Sequence, residues 1–267
     1  MEHIDWLIRE NDIEIRDGKI VQCYRIDYDL SNEKVMKSWA KHIRRQYESD
    51  ESLDESLNET LMEADEYLRE NVIPQKSMVK GSTMRSADFG EIIFSDLLEF
   101  VYGYTIPRCK LYDRATPTQS EQGTDIIGYK FNNTNGISSV KDELCAVESK
   151  MSATSSNLKT INSAIKHSIK DELRVAVTLN YYRKKLKRMG KTIESNQIAR
   201  FQKKSEKDFV LRLMAGAAIS RKDLNPEIEI IFEDEGEIRL EKVDSIFLIH
   251  CNQLMDLVHE IYERCIE

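Results

Sequence analysis

Leu144-Cys145-Ala146-Val147-Glu148-Ser149-Lys150 is the stretch on which the fold turns. Four apolar residues run without interruption and then give way to a carboxylate and an ammonium two positions apart. A short continuous apolar run of this kind reads as a central strand, covered on both faces. Residues i and i+2 of a strand share a face, so Glu148 and Lys150 project together, and the Ser149 carbonyl remains available from the backbone. Charges at the end of a buried strand are costly unless they are paired or employed.

Working outward, Thr124–Phe131 and Cys109–Tyr112 read as short strands. The polar run Asn132-Asn133-Thr134-Asn135-Gly136 reads as the turn of a hairpin that brings Asp125 beside Glu148. A helix over Ser86–Tyr102, with Ser86 as its N-cap, carries a core stripe of Phe89, Ile92, Ile93, Leu97 and Phe100. The same helix carries Glu91. After the central strand, Leu158, Ile161, Ile165 and Ile169 mark one helix face, and helical sequence continues through Tyr181–Lys185. Phe209–Ile219, Glu227–Phe232 and Ser245–Cys251 read as strands, and Asn252–Arg264 as a closing helix. Towards the N-terminus, alternating Ile13–Ile26 is broken by Asp17-Gly18, a hairpin signal. A helix over Glu33–Tyr47 follows, then an amphipathic acidic helix over Ser52–Arg69, with Pro74 behind it. The order predicts an α/β (α+β) fold with a central mixed sheet flanked by helices. Residues 1–75 read as an N-terminal hairpin-plus-helix extension and 76–267 as the catalytic domain.

The chemistry suggested by this layout is metal-assisted hydrolysis. A hard cation such as Mg²⁺ or Mn²⁺ takes carboxylate and carbonyl oxygens, and Asp125, Glu148 and the Ser149 carbonyl supply them. Lys150 stands ready to stabilise developing charge. Glu91 is a further acid, either at the metal or an ordinary charge on the helix. The sequence contains two D/E-x-K triplets. The other, Asp17-Gly18-Lys19, has the backbone logic of a turn and no obvious partner carboxylate.

The order helix Glu, strand Asp, strand E-x-K resembles the PD-(D/E)xK nuclease superfamily, with its restriction-endonuclease-like core. More narrowly, Arg85–Glu91, Gly123–Gly128 and Leu144–Lys150 look like the HamA (AbpA) family, the nuclease subunit of the Hachiman anti-phage system. The likeness spans roughly residues 76–267. It implies metal binding by Asp125 and Glu148, a catalytic lysine at Lys150 and an accessory acid at Glu91. It also implies DNA as substrate and a HamB-like helicase as partner in a hetero-dimer. Thr124 stands where the superfamily pattern has proline.

The net charge of -8 over 267 residues is unevenly spread. Between Glu48 and Glu70 ten acids face Arg69 alone, whereas 17 Lys plus Arg lie between Lys159 and Lys222 and outnumber the acids roughly three to one. Lys159, Lys166, Lys170, Arg183, Lys184 and Lys185 are candidate phosphate contacts for sequence-independent DNA binding. The acidic stretch is either a solvated face or a surface that docks on the helicase or blocks DNA at rest. No Gly-rich phosphate loop is present, so ATP-driven work falls to a partner. Mean hydropathy of -0.52, the lack of a long apolar run and five cysteines without a CxxC predict a cytoplasmic protein with reduced thiols and no membrane partner. A second functional class stays open: a catalytically silent subunit using the same fold to bind DNA or a helicase.

Overall fold

The structure, a computed structural model, describes residues 1–119, 121–133, 138–154, 159–202, 208–224 and 239–267. Its strands are β1 (Leu7–Arg9), β2 (Ile13–Glu14), β3 (Ile20–Ile26), β4 (Ile126–Lys130), β5 (Glu143–Ser152), β6 (Val210–Ser220) and β7 (Ser245–Cys251). They form one sheet in the order β1-β3-β7-β6-β5-β4, with β2 on β3. The four inner strands β3, β7, β6 and β5 are parallel, and β4, β1 and β2 pair antiparallel at the two sides.

Period-two alternation divides the apolar residues between two faces. Cys145, Val147, Met214, Phe247 and Ile249 point to the side covered by α1 (Glu33–Tyr47), α4 (Gly81–Asp96) and α8 (Leu254–Arg264). On the opposite side α5 (Lys159–Ser168) packs on Ala215, Ala217, Ile246 and Leu248. There too, α6 (Asp171–Arg188) and α7 (Thr192–Arg200) pack on Ile127, Tyr129, Leu144 and Ala146. Glu148 and Lys150 continue the parity of Leu144 and Ala146, so the strand aims them at the α6 side. On the other face, Gly216 of β6 lets α4 come close: a Cβ there would stand 2.8 Å from Phe94 Cε1.

The expected central strand, the Phe209–Ile219 and Ser245–Cys251 strands and the closing helix are present. So is the Asp-Gly hairpin, in which Asp17 (φ 64°) and Gly18 (φ 67°) both adopt the left-handed region that a primed turn requires. The strands of residues 1–75 join the same sheet, β3 lying against β7. Three expectations fail. The Ser86 helix starts earlier, at Gly81, because Arg85 is buried and its guanidinium bonds the Pro74 carbonyl, Gln75 Oε1 and Glu263. Cys109–Tyr112 is irregular, not a strand, because Lys110 turns inward to the acids described below. The Ser52–Arg69 helix breaks into α2 (Asp50–Thr60) and α3 (Ala64–Tyr67), followed by a π-helical turn over Leu68–Val72. The Thr60 hydroxyl donates to the Ser56 carbonyl and accepts from the Met62 amide, competing with helix propagation. Leu61 adopts φ 57° and is 88% exposed. The centre of the expected polar turn, Leu158 and the Glu227–Phe232 strand lie outside the described residues.

Candidate active site

β4 and β5 are paired as far as Ile126 opposite Val147. Beyond that register the approach to β4, Gly123-Thr124-Asp125, lies along the open edge of β5. There Asp125 Oδ2 accepts a hydrogen bond from the Ser149 amide at 3.0 Å. The amide and carbonyl of a strand residue leave by the same edge, so the Ser149 carbonyl opens on this side as well. The Lys150 ammonium donates to Glu148 Oε1, as the i, i+2 spacing predicts. Asp125, Glu148, Ser149 and Lys150 therefore meet at one place.

Glu91 reaches the same place from α4, through an intermediary. Lys110, only 6% exposed, donates to Glu91 Oε1 at 3.0 Å and to the Asp125 carbonyl and Oδ1 at 3.3 Å each. Sequence reasoning missed this lysine. Its one signal was position: a single charge in Cys109-Lys110-Leu111, between residues that fold inward. A second missed group is Asp171, buried at the start of α6. Its Oδ1 accepts from the Thr124 hydroxyl at 3.0 Å, and Thr178 Oγ1 accepts the Thr124 amide at 3.1 Å. Thr124, standing where the superfamily pattern has proline, thus ties the Asp125 loop to α6.

The electrostatics follow from burial. Removal from water pushes the Glu91 carboxyl up to about 7, against the pull of Lys110 and with the repulsion of Asp125 and Asp88. Burial and the Asp125 charge raise Glu148, and burial and Glu148 raise Asp171 to about 7. Burial alone would lower the Lys110 ammonium, but Glu91 and Asp125 outweigh it and hold it at about 12. Four carboxyls thus crowd around two lysines, and Asp171 Oδ2 is buried without a hydrogen-bond partner among the described residues. Such a set of hard oxygen donors, short of positive charge, fits Mg²⁺ or Mn²⁺ held by Asp125, Glu148 and the Ser149 carbonyl. Glu91 fits less well as a ligand, because its Oε1 is held by the buried Lys110 ammonium at 3.0 Å. Among the described residues the only trio of potential metal-binding side chains closing within 4.8 Å is His3, His42 and Asp96, elsewhere in the fold.

The basic residues divide. Lys159, Lys166, Lys170 and Lys184 are exposed on or beside α5 and α6. Arg183 is half-buried and donates to Asn180 Oδ1 at 3.1 Å. Lys185 departs from the expected phosphate contact: it is 5% exposed and donates to Tyr181 Oη at 2.9 Å and the Lys110 carbonyl at 3.3 Å. It braces the loop that carries Lys110 from behind. A cavity of about 570 Å³ separates this part of α6 from the acidic segment, lined by Tyr67, Asn71, Tyr112, Arg114, Lys185 and Arg188 among others. All five cysteines are buried free thiols, and no helix among the described residues is long and apolar enough to cross a membrane.

A mixed sheet between helical layers, with an acid and an E-x-K pair meeting at the end of two adjacent strands, defines a nuclease-like α/β protein. The HamA family model matches residues 1–265, and the chain belongs to that family. Membership supports a role in Hachiman anti-phage defence. No curated protein matches the sequence.

Proposed function

We propose that this chain is the metal-dependent deoxyribonuclease of a defence complex, cutting DNA phosphodiesters largely without regard to sequence and working beside a helicase. The observation that carries the reading is the junction at the β5 edge, where the Ser149 amide holds Asp125 and Lys150 meets Glu148. Asp125, Glu148 and the Ser149 carbonyl would bind a divalent ion. When bound, such an ion neutralises phosphate charge and acidifies an attacking water. Lys150 would donate to a phosphate oxygen as charge builds, a contact worth most in a site screened from water. Asp171, through Thr124, keeps the loop that carries Asp125 in register. The exposed lysines of α5 and α6 suit backbone contacts without base readout. With no phosphate-binding Gly-rich loop in this sequence, ATP-driven work would fall to the helicase.

The test is incubation of the chain with plasmid and Mg²⁺, alone and with its helicase, against EDTA, Glu148→Ala and Lys150→Ala controls. Cleavage that disappears with EDTA and with either variant is expected; cleavage surviving both variants refutes the assignment. One observation favours a second reading, a catalytically silent DNA- or helicase-binding subunit: Lys110 and Lys150 already pair with acids of the site. DNA or helicase binding with no cleavage under any of these conditions would select it.

A further inference from the structure

Lys110 is placed with more care than an incidental ion pair needs. An ammonium has three donors. All of those of Lys110 are accounted for, by Glu91 Oε1, Asp125 Oδ1 and the Asp125 carbonyl. The loop that carries it is braced on both sides. Lys185 donates to the Lys110 carbonyl at 3.3 Å. Arg114 makes a two-pronged contact with Asp88 at 2.7 and 2.8 Å, one turn before Glu91 on α4. Asp88 in turn accepts from the Tyr47 hydroxyl at 2.7 Å. The ammonium therefore occupies a built position between Glu91 and Asp125.

A divalent ion bridging those two carboxylates would have to stand where the ammonium stands. Two like charges within a few ångströms in a buried site repel strongly. On the far side of Asp125, Oδ2 meets the Ser149 amide and Glu148 follows on β5. The ammonium there, Lys150, is one-third exposed and among the described residues bonds Glu148 alone, so unlike the buried, triply bonded Lys110 it can swing aside for an ion. We infer that Lys110 is a tethered counter-cation that fills one cation position of this cleft. The cleft then takes a single divalent ion, on the Asp125–Glu148 side, and Glu91 serves Lys110, not the metal. The inference rests on the metal-dependent nuclease reading and sets how many ions that chemistry uses.

Titration of the full chain with Mn²⁺, without DNA, counts the ions by calorimetry and by the electron-spin signal of free Mn²⁺. The wild type is expected to bind one. Glu91→Gln should leave the affinity for that ion within about threefold, whereas Asp125→Asn should weaken it by roughly tenfold or more. Lys110→Met, which removes the charge and keeps the stem, should admit a second ion, and Lys110→Arg should restore a count of one. Should Lys110→Met fail to fold, the wild-type count and the Glu91→Gln affinity still decide. Two ions in the wild type, or an affinity lost with Glu91→Gln, overturn the inference and leave the nuclease reading standing. A second ion missing from folded Lys110→Met also overturns it. No Mn²⁺ bound at millimolar concentration overturns both.

Discussion

Two buried acid clusters in this molecule look alike and behave in opposite ways. At the first, Asp96 of α4 accepts from His3 at 3.0 Å and His42 at 2.9 Å, and also binds the Arg108 guanidinium. Burial opposes its charge, but Arg108 and the two imidazoles outweigh burial and hold it far below the usual carboxylate range. At the second, Glu148 and Asp171 are buried and Glu91 keeps 14% of its side chain exposed, so none lies deeper than Asp96, yet all three are pushed upward. The difference is not depth but the ratio of donors to acids. By position alone, the first is the better metal site, because its ligand atoms close within 4.8 Å. Its charge is already matched, and the stack of His3 on Trp39 at 4.8 Å marks it as an anchor of the N-terminus. The cleft at β5 remains short of positive charge, and that shortage is what a functional cation would fill.

The largest expected effect breaks the comparison at the β5 cleft. Glu148→Ala and Lys150→Ala should each lower DNA cleavage by about 100-fold or more while the folded state survives. Plasmid nicking read beside a thermal melt separates the two. Asp96→Ala should do the reverse, costing about 3 kcal/mol of stability by leaving two buried imidazoles without their acceptor and Arg108 with Glu99 as its remaining carboxylate. Urea unfolding measures it, and a near-neutral result would show that the Asp96 cluster is not an anchor.

A smaller, sharper difference lies in pH. Asp171 has a folded value of about 7, against about 3.9 for an unfolded aspartate. A carboxyl raised on folding contributes stability that is full below the unfolded value and is lost as pH rises through the folded one. Metal-free wild type should therefore lose ground to Asp171→Asn between pH about 4 and about 7, by roughly 1 kcal/mol or more. Asp96 carries the opposite sign. Its contribution is present above the unfolded value and fades as the solution is acidified below it. Unfolding in EDTA at pH 5 and pH 8 reads the Asp171 difference, and a further measurement at a pH below about 3.9 reads that of Asp96. A pH-independent gap between wild type and Asp171→Asn would contradict the assignment.

How much of this was written legibly in the chain follows from the kind of contact involved. Glu148 and Lys150 were readable because strand parity is a local rule, and Asp125 because a neighbouring strand delivers it. Lys110 and Asp171 were not, since each arrives from another element and its role exists only after the sheet has closed. The fold was legible where apolar runs were continuous, as in β5, β6 and β7. It was illegible where one side chain overruled the pattern, as Arg85 does at the start of α4 and Thr60 at the end of α2. The His3–Asp96 contact joins residues 93 positions apart and left no trace in spacing.

The smallest expected effect separates two kinds of lysine on α6. Lys184 is exposed, whereas Lys185 is buried with its ammonium on Tyr181 and on the loop that carries Lys110. An exposed cation touching phosphate adds affinity that salt erodes, about one unit of slope in a log–log plot for each contact. Lys184→Ala and Lys170→Ala should thus weaken DNA binding modestly, flatten the salt dependence by about one unit each and leave the melting temperature unchanged. Lys185→Ala should leave the salt slope alone and lower the melting temperature, because it strips a brace from the loop between Glu91 and Asp125. Fluorescence anisotropy with a short duplex at several salt concentrations gives the slopes. If Lys185→Ala flattens the slope as much as Lys184→Ala does, then the lysine drawn into the interior is reaching DNA, and the division between bracing and binding cations on this helix is wrong.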